Sequence, residues 1–251
     1  KKCEFQTVPF KHIIIDDFFK KDDFEEIISS NEIKLTECST TKELMKELKS
    51  AGYQPIPFPG SITDEKDYLK FLETRQVNRS LIKGYGKKVI EGYGITYRLN
   101  QIANSLLQEI MNTIESDAFQ TALIEKFAIT GKTHYEGGIQ KNLQGYEISP
   151  HPDTSRKALT WMVNIYTNDD DVSEKDMHTH LCRLKDRYSY ISKVWQHSEY
   201  DPCWVPWDWS ETVKKTNTNN SISIFRPSYD TLHAVSVQES HLKDQRNQIY
   251  G

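Results

Sequence analysis

Long apolar runs are missing from this chain of 251 residues. The most apolar stretches, Ile13-Ile14-Ile15 and Ala158 to Tyr166, fall far short of the roughly 18 residues that a membrane helix needs. The opening Lys1-Lys2-Cys3-Glu4-Phe5 has no apolar core of a secretion signal. Cysteine is sparse: Cys3, Cys38, Cys182 and Cys203 stand far apart with no CxxC pair. That spacing predicts thiols in a reducing compartment rather than a disulfide framework, and so a cytoplasmic protein. A charge excess is also lacking, since 32 basic residues face 36 acidic ones for a net charge of -4. Such a balance predicts no general affinity for nucleic acid and none for a membrane surface. No internal repeat is visible. Lys83-Gly84-Tyr85-Gly86-Lys87-Lys88 is glycine-rich but is no phosphate loop, and no G-x-S-x-G elbow occurs.

What is present reads as one domain with two textures. Residues 8–15 suit a strand, broken by Asp16-Asp17. Apolar spacing predicts helices over 18–30, 40–50, 63–75, 99–116 and 117–128. The prolines of YQPIPFPG (53–60) mark a loop between the second and third. From about residue 129, turn residues recur and enclose β-branched and aromatic segments such as LTWMVNIYT (159–167), ISIFRP (222–227) and AVSV (234–237), the signature of short strands. The expectation is an α+β fold over 1–251: a mainly helical support region, 1–128, packed against a β-barrel core, 129–251. Within the core, 169–220 reads as an insertion rich in Trp195, Trp204, Trp207 and Trp209.

The chemistry concentrates in GYEISPHPDTSRKALTW (145–161). His151 and Asp153 are two apart, so on an extended segment they project to one face and can reach one ion. His233, at a turn-to-strand junction, can bring a second imidazole. Two His and one carboxylate on one side of an ion form the facial triad of non-haem Fe(II) oxygenases, with the far side open. Arg246 follows His233 by 13 residues and can hold a carboxylate bidentately. Taken singly, each has a plainer reading: His151 as a turn residue bonded to Asp153, and Arg246 as a surface cation.

Together these residues resemble the 2-oxoglutarate- and Fe(II)-dependent dioxygenases, in particular the prolyl-4-hydroxylase-like branch. His151, Asp153, His233 and Arg246 match its H-x-D, distal His and basic residue in order. VPFKHIIIDDFFKKDDFEEI (8–27) and HPDTSRKALTWMVNIYTN (151–168) are similar to its entry and to its run after H-x-D. The resemblance implies a double-stranded β-helix, a jelly-roll or cupin-like barrel with N-terminal helices against it. It implies Fe(II) on His151, Asp153 and His233, and 2-oxoglutarate anchored by Arg246 with Asn164 as a further polar contact. It also implies O₂ as co-substrate, and hydroxylation of a C–H bond with release of succinate and CO₂. The substrate would be a small molecule or a peptide: a protein residue, an amino acid or a metabolite. Two features depart from the pattern. Asp153 and His233 are 80 residues apart without the usual Gly-Gly segment, and Lys243 competes with Arg246 as the anchor. The chain stops five residues after Arg246, so no final strand is expected there.

Other constellations compete. His178, His180 and Cys182, with Cys203, could bind zinc on a strand, but the charged neighbours predict a helix or loop. A non-catalytic metal- or ligand-binding barrel would use the Trp-rich insertion for recognition and leave Arg246 in solvent. The tryptophans otherwise anchor a loop to the core. Asp169-Asp170-Asp171 reads as a solvated turn.

Overall fold

The computed structural model describes residues 3–58, 61–75, 92–167, 172–199 and 201–251. Its helices begin where polar side chains can satisfy exposed backbone N–H groups. Thr40 caps α2 (Thr41–Ser50) by accepting from Glu43 N at 3.2 Å. Asp64 caps α3 (Glu65–Thr74), Asn104 caps α4 (Ser105–Glu115) and Ser116 caps α5 (Asp117–Lys126). α1 (Lys21–Ser29) lacks a side-chain cap but carries Asp22 and Asp23 in its first turn, where they complement the helix dipole. α2, α3 and α4 bury apolar residues at helical spacing, such as Leu44 and Leu48, and α1 buries Ile27.

The strands form two antiparallel sheets, so the chain is a mixed helix-and-sheet protein. The seven-stranded sheet runs β1 (His12–Ile15), β10 (Ser221–Phe225), β7 (Thr160–Ile165), β12 (Arg246–Tyr250), β5 (Gly138–Asn142), β4 (Thr96–Leu99), β2 (Tyr53–Pro55). The five-stranded sheet runs β3 (Gly92–Tyr93), β6 (Glu147–His151), β11 (Leu232–Ser236), β8 (Thr179–Leu184), β9 (Ser210–Thr216).

Period-two alternation gives the larger sheet two faces. Its outer face offers Ile13, Ile139, Trp161, Val163, Ile165, Ile222, Ile224 and Ile249, which share one core with Ile27, Leu44, Leu48, Phe71, Leu107 and Ile114 of the helices. Its inner face offers Met162 and Phe225, which pack with Phe10 and with Leu181 of the smaller sheet. Ile14 and Tyr250 share this face, and toward β5 and β4 it is polar, with Asn142, Gln248 and Thr96. Asn164 Nδ2 donates to the Thr216 carbonyl at 3.2 Å, and Arg246 Nη2 donates to Thr179 Oγ1 at 2.8 Å, both across to the smaller sheet.

Several expectations are corrected. The 99–116 helix starts only at Ser105, because Leu99 ends a strand and Asn104 supplies the cap. Part of the YQPIPFPG loop is β2, an edge strand paired only with β4, where Pro55 costs the sheet nothing. Among its described residues the support region therefore contributes β1 to β4 as well as its helices. The 169–220 segment is not simply an insertion: β8 and β9 belong to the smaller sheet, and β8 pairs with β11. HTHLC is accordingly strand rather than helix or loop from Thr179 onward. Residues 246–250 form β12, an interior strand between β7 and β5.

The tryptophans anchor their segment. Trp195, Trp207 and Trp209 pack with Cys182, Val205, Leu232 and Ala234 on the outer face of the smaller sheet. α6 (Tyr190–Gln196) lies in this cover. No disulfide joins the four cysteines. Among the described residues, no helix is long and apolar enough to cross a membrane. The Asp169–Asp171 and Lys83–Lys88 motifs lie outside the described residues.

Candidate metal centre

His151 closes β6, and His233 sits directly opposite it on β11. The two strands are in register at that pair and slip by one residue before Val235 pairs with Ile148. The slip falls at Ser149-Pro150, where proline has no N–H to lose from the ladder. The Pro150 carbonyl turns instead to Val205 N at 2.8 Å, which ties the Trp-rich segment to the H-x-D strand. Asp153 follows immediately after β6. A nitrogen of His151, one of His233 and an oxygen of Asp153 lie within 4.8 Å of one another, and all three residues are buried. Among the described residues this is the one such His/Cys/Asp/Glu cluster.

Hydrogen bonds orient the three toward a common point. His151 Nδ1 meets the Ser149 carbonyl at 2.8 Å. A carbonyl only accepts, so Nδ1 carries the proton and Nε2 keeps its lone pair. His233 Nδ1 faces the Thr231 carbonyl more loosely, at 3.4 Å, with its Nε2 3.7 Å from Asp153 Oδ2. Asp153 Oδ1 accepts from Lys157 Nζ at 2.8 Å and Oδ2 from Thr160 Oγ1 at 2.5 Å. Burial lowers the His151 pKa to about 3 and also lowers that of His233. Burial alone would raise the Asp153 pKa, but His233, Lys157 and His151 outweigh it and hold the carboxyl below its usual range. The site thus offers two neutral imidazoles and one carboxylate at neutral pH, the donor set that suits a divalent transition metal with open positions.

Arg246 opens β12 and points between the sheets, only 1% exposed. Lys243, the rival anchor, is exposed. Arg246 Nη1 donates to Asn142 Oδ1 and, at 2.9 Å, to Gln248 Oε1; Nη2 donates to Thr179 Oγ1. Its buried Nε finds no acceptor among the described residues. Burial lowers the Arg246 pKa, opposed by Tyr166 and Tyr146. Thr179 pairs with Val235, two residues along β11 from His233. The guanidinium therefore lies on the same face as the triad, about 7 Å further along the strand. Asn164 shares this face: its Oδ1 accepts from Gln248 Nε2 at 3.1 Å.

The rival zinc set does not assemble. His178 uses both ring nitrogens, Nδ1 with Tyr166 Oη at 2.9 Å and Nε2 with the Val172 carbonyl at 2.7 Å. His180 Nδ1 is taken by Thr212 Oγ1 at 2.9 Å. Sequence reasoning missed Asn142, Thr160, Thr179 and Gln248. Only Gln248 left a signal, as the alternate residue to Arg246 on the same strand.

No family model matches the chain, and no curated protein is similar to it. Among solved structures, it is similar to a prolyl-4-hydroxylase from Pseudomonas putida at 10% identity and TM-score 0.48, over 95% of this chain and 89% of that one. It is also similar to a prolyl hydroxylase from Trichoplax adhaerens, solved with a peptide fragment of hypoxia inducible factor. That match has 10% identity and TM-score 0.46, over 95% of this chain and 81% of that one.

Proposed function

We propose that residues 1–251 form a single Fe(II)- and 2-oxoglutarate-dependent oxygenase domain built on a double-stranded β-helix. It would hydroxylate a C–H bond of a protein residue, an amino acid or a small metabolite, with succinate and CO₂ as co-products. The observation that carries this reading is the buried His151–Asp153–His233 cluster, whose tautomers and ionisation leave three ligand atoms facing one point.

Bound there, Fe(II) would supply the oxidative chemistry, with 2-oxoglutarate and O₂ as co-substrates. The protein's own residues hold and orient. His151 is fixed through Ser149, and Asp153 is held from both oxygens by Lys157 and Thr160. Such outer bonds set ligand direction and typically change metal affinity 10–100-fold. Arg246 supports the co-substrate half of the reading. A fully buried guanidinium without a carboxylate partner among the described residues is costly, and a bound dicarboxylate would relieve it. The reading takes Asn164, which is linked to Arg246 through Gln248, as a polar support. A non-catalytic barrel would have left Arg246 in solvent, whereas it is buried.

Conversion of 2-oxoglutarate to succinate by the Fe(II)-loaded protein tests the proposal. Turnover above the iron-only background, lost in His151→Ala and Arg246→Ala, is the expected result. Background-level turnover in the loaded protein, with candidate peptides and amino acids added, would contradict it.

A further inference from the structure

The Arg246 guanidinium is surrounded by uncharged groups. Asn142, Gln248 and Thr179 bond it directly, and the Tyr146 and Tyr166 phenols lie near. Arginine has five N–H groups, and three are engaged. The buried Nε–H is without an acceptor among the described residues. Nε and Nη2 share one edge of the planar guanidinium, the geometry that receives a carboxylate with two parallel bonds.

What holds that edge in place is a row of three residues across three strands. Thr96 on β4 pairs with Asn142 on β5, and Asn142 pairs with Arg246 on β12. Asn142 Nδ2 donates to Thr96 Oγ1 at 2.9 Å, which turns Oδ1 toward Arg246 Nη1. Asn142 is fully buried, so its side chain has no solvent to fall back on. An aspartate is nearly the same size and would accept the same bond from Arg246, with the Thr96 hydroxyl turned to donate to it. It would also be a permanent counter-ion.

We propose that Asn142 is the positioning residue of the carboxylate pocket, and that its lack of charge reserves Arg246 for the distal carboxylate of the co-substrate. This rests on the oxygenase reading. A carboxylate at 142 neutralises the guanidinium from within the fold and repels the incoming one. Stability and co-substrate binding are then opposed at this position, which a purely structural residue would not show.

The test uses the full chain. Thermal unfolding of the metal-free protein is measured beside calorimetric titration of the Mn(II)-loaded protein with 2-oxoglutarate. Asn142→Asp is expected to unfold several degrees higher than wild type, to bind Mn(II) equally, and to bind 2-oxoglutarate at least 30-fold more weakly. Asn142→Ala is expected to unfold lower and to bind 2-oxoglutarate about 10-fold more weakly, with Mn(II) binding unchanged. Undiminished 2-oxoglutarate affinity in Asn142→Asp overturns the proposal alone. Wild-type protein that binds Mn(II) but not 2-oxoglutarate overturns the oxygenase reading and this inference with it. If Asn142→Asp does not fold, Asn142→Ala decides: unchanged 2-oxoglutarate affinity overturns the proposal.

Discussion

Strands β5 and β12 bury one cation on each of their two faces. On the inner face Arg246 meets Asn142, in register across the pair. On the outer face, Lys141 Nζ donates to Oε1 of Gln245, the residue just before β12, at 3.1 Å and to the Ile33 carbonyl at 3.0 Å, with the Tyr53 ring 5.6 Å away. Both cations are 1% exposed. The two solve burial differently because their chemistry differs. An ammonium can shed its proton, and burial brings the Lys141 pKa down to about 7. A guanidinium cannot, so Arg246 stays charged and keeps a donor edge for an anion. The same strand pair thus carries a tolerated cation under the helices and a poised one beside the triad.

The largest effect expected is at the triad that the inner face serves. Asp153→Ala removes the one carboxylate of the proposed metal site and is expected to weaken Mn(II) binding at least 100-fold; near-native binding in the variant would move the metal elsewhere. Next is the poised cation. Arg246→Met is expected to weaken 2-oxoglutarate binding by about 2–5 kcal/mol, the usual effect of truncating a buried charge partner, and to leave Mn(II) binding unchanged. Equal losses of both ligands would show a collapsed site instead.

Lys141→Met sharpens the comparison from the other side. The folded pKa of Lys141, about 7, lies below its unfolded value of about 10.4. The folded state therefore holds fewer protons between these values, and stability rises with pH across that window. The resulting penalty, about 5 kcal/mol, is fully present below pH 7 and fades toward pH 10. Lys141→Met is expected to unfold above wild type at pH 6.5, with the gap narrowing by pH 9.5, and to bind 2-oxoglutarate normally. A gap independent of pH would mean that Lys141 is not a strained cation. The smallest effect is expected from Thr160→Val, which deletes one bond to Asp153 and should lower Mn(II) affinity about 10-fold.

The contrast between the faces also marks what was legible in the sequence. His151, Asp153, His233 and Arg246 stood out because their spacing and residue types carry chemistry that surface residues rarely share. The helices expected over 40–50, 63–75 and 117–128 form close to those bounds, as Thr41–Ser50, Glu65–Thr74 and Asp117–Lys126. Leu99 misled because its spacing from Ile102 fits a helix, while its place on β4 is set by pairing with Tyr53. β8 was hidden because both of its faces are covered: Leu181 packs inward, and Cys182 lies under the Trp-rich cover. A doubly buried strand loses the alternation that identifies a half-buried one. Asn142 and Thr179 were illegible for a plainer reason, since their meaning lies in what they meet across the sheets.

The most direct measurement is an anaerobic titration of the protein with Fe(II) and 2-oxoglutarate, followed by visible absorption, beside Asp153→Ala and Arg246→Ala. A weak charge-transfer band is expected in the native protein, lost in Asp153→Ala and needing much more 2-oxoglutarate in Arg246→Ala. No band in the native protein at saturating Fe(II) and 2-oxoglutarate would contradict the oxygenase reading.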